Sequence, residues 1–233
     1  MNPPLPYFLD HIWLVPLFPL ITAAVMLFGR RLKNSAVSVL CVGSVCLSFL
    51  FSVGAFSQLL SLPVDTRVAS KHLFDWIPPI PFHTFAGSLA HFHADWGFQV
   101  DPLSAVMILI VTGVGLLIHF YSVGYMGHEG GYYRFFGYMN LFMFSMLMLV
   151  LGNNLMLMFV GWEGVGTCSY LLIGFYFHRK SASDAGKKAF IVNRVGDAGF
   201  CWAFFSPRLS WAPFISTRSV PRLKRDISIW ATR

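Results

Sequence analysis

The stretch Leu157–Phe177, LMFVGWEGVGTCSYLLIGFYF, sets one carboxylate, Glu163, among apolar and small residues. An ionised carboxylate at the centre of a bilayer costs about 3 kcal/mol or more, so such a group has to face a bundle interior or water. At helical spacing Glu163 shares a face with Gly166, Thr167, Tyr170 and Gly174, a small and polar strip that Leu157, Val165 and Leu172 flank. Gly161 and Gly164, with Gly166 beside them, allow a neighbouring helix to come close. The next apolar segment, KKAFIVNRVGDAGF, carries Lys187, Ile191, Arg194 and Asp197 at intervals of three or four residues, which is a charged stripe along one side of a helix. Arg194 and Asp197 stand one turn apart and can pair, lowering the cost of each. Glu163 opposite such a stripe has the parts of a proton relay, because a desolvated carboxylate beside a cation can gain or release its proton as the cation moves. The same residues also suit a structural task, in which ion pairs lock two helices together and the glycines only pack.

These residues need helices to position them, and the composition says in which solvent. Hydrophobic residues make up 56% of the chain and charged ones 12%, with a mean hydropathy of +0.62. A soluble domain carries about a quarter charged residues, so this is an integral membrane protein, and nucleic acid is not expected among its partners. A spanning helix needs roughly 20 mainly apolar residues. Six segments qualify, approximately Ile12–Phe28, Ala36–Leu60, Leu103–Tyr121, Phe135–Leu151, Leu155–Phe177 and Lys188–Phe205. The expected fold is therefore all-α, a bundle of six transmembrane helices, with GRRLKNS, a long polar stretch, GYMGHEGGYYR, GNN and HRKSASDAGKK as the breaks.

Lys and Arg accumulate in cytoplasmic loops. The breaks after the first, third and fifth spans share one side and hold eight such residues, whereas the opposite side holds Arg67 and Lys71. That asymmetry puts the N-terminus outside and the basic loops inside. The outer connection, residues 62–102, follows two spans (residues 1–61) and precedes four more (residues 103–205). Its alternating WGFQV before Asp101-Pro102 predicts an aromatic-rich hairpin on the membrane surface, and Asp101 reads as a helix N-cap. His91 and His93 lack the further ligands of a metal site. Cys41, Cys46, Cys168 and Cys201 form no CxxC pair and read as packed free thiols. Haem held between helices would need histidines deep in the spans. His119 comes nearest, and its place towards the inner end of the third segment reads as interfacial.

FVGWEGVGTCSYLLIGFYF followed by KKAFIVNRVGDAGF resembles the largest antiporter-like membrane subunit, of the chain L or chain 5 type, of proton-pumping NADH:quinone oxidoreductase, respiratory complex I. VDPLSAVMILIVTGVGLLIHFYSVGYM and YYRFFGYMNLFMFSMLMLVLGNNLMLMFVGWEG resemble its third to fifth helices, and the likeness runs from Ile12 to Phe200. It implies that Glu163 lies in a charge axis at the membrane centre, where it acts on a lysine of a later helix, and that Arg194 and Asp197 sit near the same pathway. It implies partners in the other membrane-arm subunits and a role in proton translocation driven by electron transfer from NADH to quinone. It also places the flavin, the iron–sulfur clusters, NADH and quinone on partner subunits, with no cofactor, metal or catalytic residue in this chain. A bacterial inner membrane is expected, with the mitochondrial inner membrane as the alternative. The large subunit of a multisubunit sodium/proton antiporter and an inert assembly fragment are the competing readings.

The resemblance also implies more than twice as many spans, including a later helix bearing the lysine partner of Glu163. Without it the chain is expected not to translocate protons alone. The last residues, CWAFFSPRLSWAPFISTRSVPRLKRDISIWATR, resemble nothing in the family. Pro207, Pro213 and Pro221 interrupt their apolar run, and residues 201–233 carry a net charge of +5 against +2 for residues 1–200. A basic tail at 206–233 arising from a frameshift near codon 200 is the expectation.

Overall fold

The computed structural model describes residues 5–29, 32–63, 67–83 and 89–205. A short helix α1 (Tyr7–Asp10) leads into α2 (Leu14–Phe28) and the long α3 (Asn34–Ser61). Two antiparallel strands follow, β1 (Ala69–His83) and β2 (Leu89–Val100), and then α4 (Pro102–Tyr125), α5 (Tyr132–Leu151), α6 (Leu155–Ile173) and α7 (Lys180–Phe205). Four helices, α3, α4, α5 and α6, are long and apolar enough to cross a membrane. α2 is apolar but 15 residues long, and α7 has the length but is diluted by charge. The basic segment HRKSASDAGKK, expected as a break, is helical from Lys180 onward. Its Ser, Ala and Asp residues carry no strong breaker, so the helix starts some eight residues before the apolar run does.

α5 is the central post. Half of its apolar window is buried, and it packs against α2, α4 and α6. α4 shows the pattern of a helix turned inside out. Its outer face carries Leu103, Ile110, Val114, Leu117 and Phe120, while Thr112, Gly115, His119 and Ser122 are buried. An apolar exterior over a partly polar interior is what a bilayer asks of a bundle helix.

Proline in α2 illustrates how the backbone is kept satisfied. Pro19 lies inside the helix and has no N–H to give the carbonyl of Val15, four residues earlier. The Ser48 hydroxyl of α3 donates to that carbonyl at 2.8 Å. A side chain on the neighbouring helix thus takes the place of the missing donor.

The hairpin runs in register from Ala69 opposite Val100 to His83 opposite Leu89, with irregularities on the way. One falls between Ile77 and Ile80, where Pro78 and Pro79 cannot donate to a ladder. Phe74 stacks on Trp96 at 5.8 Å. β2 hands over to α4 through a capping box. The Asp101 carboxylate accepts from the Ser104 N–H at 2.7 Å, and the Asp101 N–H donates to the Ser104 hydroxyl at 2.7 Å, with Pro102 opening the helix. At the same end the hairpin holds the α5–α6 turn. Asn153 donates to the Asp95 carboxylate at 2.7 Å, and Asn154 donates to the Asp95 carbonyl at 2.7 Å.

Candidate functional site

α6 and α7 lie side by side, and the charges of the site meet between them. Asn154 caps α6, its side-chain oxygen accepting from the Leu157 N–H at 2.9 Å. Nine residues further on, the Glu163 carboxylate forms an ion pair with the Arg194 guanidinium of α7. The same guanidinium lies 3.4 Å from the Asp197 carboxylate, one turn along its own helix. Asp197 is nearly buried and accepts a hydrogen bond from the Trp162 indole N–H at 2.8 Å. The Arg194 guanidinium also rests over the Phe190 ring, 4.8 Å from its centroid. Its Nε is buried with no hydrogen-bond partner.

The chemistry follows from the charge count. Glu163 and Asp197 bring two negative charges and Arg194 one positive, so the ionised triad carries one net negative charge. A proton, or a positive charge from a fourth group, would balance it. Because a single arginine bridges carboxylates on two helices, a movement of α7 against α6 redistributes that charge between them.

Lys187 does not join this group. Its ammonium lies 3.9 Å from Asp184 with 66% of the side chain exposed, towards the start of α7. A stripe seen at helical spacing is therefore divided: the i,i+3 acid takes the lysine, and the cross-helix acid takes the arginine. Gly161 and Gly164 face α5. A Cβ at Gly161 would strike the Leu149 backbone, and one at Gly164 would come within 2.9 Å of the Ser145 Cβ. Gly166 faces α7 instead, 3.5 Å from the Asn193 side chain by the same measure. The three glycines therefore serve two different interfaces.

Other polar groups of the interior were not read from the sequence. The Asn140 side-chain carbonyl on α5 accepts from the Ser44 hydroxyl of α3 at 3.0 Å and from the Thr22 hydroxyl of α2 at 3.2 Å. A node of three helices results, and a lone asparagine within an apolar span was its signal. His119 is 1% exposed, turned into the bundle. α4 continues to Tyr125, beyond the span end expected at Tyr121. On the hairpin, His93 lies 3.1 Å from the Asp75 carboxylate and His72 2.9 Å from it, while the His91 side chain is outside the described residues. Among the described residues no group of three or more His, Cys, Asp or Glu is arranged to hold a metal ion. Cys41 and Cys168 are buried, and all four cysteines are free. The basic tail, 206–233, lies outside the described residues.

An apolar helical bundle with an ion-paired triad between two neighbouring helices is a membrane domain, and comparisons with known proteins say of which family. Residues 87–136 match the family of the NADH-ubiquinone oxidoreductase (complex I) chain 5 N-terminus. Residues 152–206 match the transmembrane family of NADH:quinone oxidoreductase and the Mrp antiporter. NADH-quinone oxidoreductase subunit L of Mycobacterium tuberculosis is 45% identical over 197 residues, which is 84% of this chain and 29% of that protein. Subunit L of Rhodobacter capsulatus is 44% identical over 80% of this chain and 25% of that protein. Chain 5 of the NADH-ubiquinone oxidoreductase of Allomyces macrogynus is 39% identical over 82% of this chain and 28% of that protein. In three dimensions the chain resembles a subunit in the structure of the membrane-bound sulfane sulfur reductase, an archaeal respiratory membrane complex. The TM-score there is 0.59 with 17% identity, over 82% of this chain and 26% of that one, a likeness of fold. The chain belongs to the subunit L/chain 5 family of NADH:quinone oxidoreductase. It spans under a third of the length of the curated relatives it matches.

Proposed function

We propose that this chain forms the N-terminal part of a membrane-arm subunit that translocates protons as NADH reduces quinone. The observation that carries the reading is the Arg194 bridge between Glu163 and Asp197, a charge-unbalanced triad on two helices of an apolar bundle. Glu163 and Asp197 would exchange the proton, and Arg194 would set which carboxylate holds the negative charge. Lys187, at the start of the same helix, would act as the pathway's mouth. Gly161, Gly164 and Gly166 would keep the helices close enough for the bridge. Electron carriers would be held by partner subunits: NADH and flavin, iron–sulfur clusters, and quinone. Residues 1–61 would give two spans, 62–102 an outer hairpin and 103–205 four more spans, for six in all in a bacterial inner membrane. The even distribution of helix ends supports that count: the hairpin and the α5–α6 turn share one end, and the basic breaks share the other.

The test is E163Q in an assembled complex that contains this chain. Proton pumping per NADH oxidised is expected to fall severalfold, with the complex still assembled. Unchanged pumping in an assembled complex would leave the inert-fragment reading in its place. A second reading, sodium/proton exchange, draws on the family description that includes the Mrp antiporter. A sodium requirement for the flux carried through Glu163 would favour it.

A further inference from the structure

A groove of about 500 Å³ runs along α5 between α4 and α6. Its floor extends from Phe135 to Met146 of α5, one wall is the row Ile110, Val114 and Ile118 of α4, and Leu172 of α6 stands at the other. The three wall residues of α4 are about half exposed, so the groove opens towards the hydrocarbon, and its surface is almost wholly apolar. Eleven residues along α5 amount to about 16 Å at 1.5 Å per residue. That is close to one half of the roughly 30 Å hydrocarbon core of a bilayer. The volume spread over that length leaves a cross-section of about 30 Å², whereas a helix about 10 Å across needs more than twice as much. The groove is therefore a slot for a single hydrocarbon chain, one leaflet deep. It lies in the half next to the basic breaks, since α4 ends there at Tyr125 and α5 begins there at Tyr132.

At that end the chain leaving α6 crosses over to α4. Phe175 packs against Phe135 of the floor, with ring centroids 5.4 Å apart, and the Tyr176 hydroxyl donates to the Met126 sulfur, at the end of α4, at 4.0 Å. Tyr125 continues the α4 wall two turns beyond Ile118 and is exposed. The Arg179 guanidinium rests over the Tyr176 ring, 5.5 Å from its centroid. Arg179 and Lys180 beside it are exposed, and among the described residues neither has an ion-pair partner. Glu129 is near enough for its charge to act on Tyr176, yet it forms no ion pair with Arg179. Tyrosines and a cation on a long stem are the residues that meet lipid headgroups at the edge of a bilayer.

We propose that the groove holds one acyl chain of an anionic phospholipid from the leaflet on the basic side, with its headgroup phosphate at Arg179. The slot accepts the tail of any phospholipid, and the unpaired charge at its mouth selects the anionic one. The methionines of the floor adapt to the chain they hold. The inference is independent of the proton-pathway reading, whose triad lies between α6 and α7.

The experiment places the full chain in lipid nanodiscs with a photoreactive phosphatidylglycerol or phosphatidylcholine at matched mole fraction. Both carry the same diazirine near the end of one acyl chain, and the adducts are mapped by peptide mass spectrometry. Labelling at Phe142 and Met146 in the groove is read against Leu47 and Leu50, which lie at a matching depth on the exposed face of α3. The ratio of phosphatidylglycerol to phosphatidylcholine adducts is expected to be about fivefold higher in the groove than at the α3 positions, as one cation at the membrane edge implies. Arg179→Gln should bring the two ratios together and leave phosphatidylcholine labelling unchanged. Equal ratios in the unaltered chain overturn the proposal, without reliance on any variant, and so does a groove preference that survives in Arg179→Gln. A groove that neither probe labels while Leu47 and Leu50 are labelled belongs to an apolar protein segment, which overturns the proposal as well.

Discussion

Trp162 precedes Glu163, yet the two side chains address different carboxyl chemistry. The indole N–H donates to Asp197, while Glu163 takes the arginine. Glu163 was legible because a carboxylate in a membrane helix is conspicuous by its cost. The tryptophan's role was not, since apolar spans hold aromatic rings for many reasons and only the position of α7 selects this one. Lys187 lies apart from the triad for a related cause: periodicity gives a face, but Asp184, within one turn, competes for the ammonium. A hydrogen bond to a charged acceptor is worth about 1.5–3 kcal/mol. Trp162→Phe is therefore expected to destabilise the bundle by about 2 kcal/mol in denaturant titrations. In an Asp197→Asn background the same change should cost less than half of that. Equal costs in both backgrounds would mean that the indole packs without serving the carboxylate.

At the scale of elements, most helices could be read from apolar run length, and their ends could not. α7 begins at Lys180 because its polar first turns contain nothing that stops a helix, while hydropathy registers only the apolar part. The hairpin was readable from WGFQV, but not its length, since the prolines of β1 argue against a strand and are tolerated at irregularities in the pairing. The pairing of Pro19 with Ser48 belongs to this scale as well, because neither helix alone explains it. Ser48→Ala removes the donor to the Val15 carbonyl and is expected to cost about 1 kcal/mol, the range found for hydrogen bonds within membranes. Pro19→Ala would supply an N–H of α2 to that same carbonyl. In the Pro19→Ala background, Ser48→Ala should then be nearly neutral. A cost that is the same with and without Pro19 would show that the hydroxyl does not stand in for the missing amide.

Across the whole molecule, the hairpin ties together elements far apart in sequence, and two carboxylates govern how it does so. Lys71 of β1 donates to Asp10, at the end of α1, at 2.6 Å, and this hydrogen bond holds the Asp10 carboxyl below the usual 3.8. His72 and then His93 do the same for Asp75, joining the two strands. A carboxylate whose affinity for protons is lower in the folded state adds stability above its unfolded pKa. It loses that contribution as the pH falls through the folded value. The attachment of β1 to α1 through Lys71 should therefore be constant from neutral pH down to about pH 5, and should weaken progressively from there to below the ordinary aspartate range near 3.9. Amide protection factors across β1, followed by hydrogen exchange in nanodiscs, report this directly because they already remove the intrinsic pH dependence of exchange. Asp10→Asn should lower protection next to Lys71 at neutral pH and flatten its response to acid, leaving the pairs near Asp75 responsive. If protection beside Lys71 in Asp10→Asn still falls with acid as in the unaltered chain, the anchor lies in the apolar contacts beneath the hairpin. Phe98 and Val100 are buried there, in one cluster with Leu9 and Ile12, and apolar burial carries no such dependence on pH.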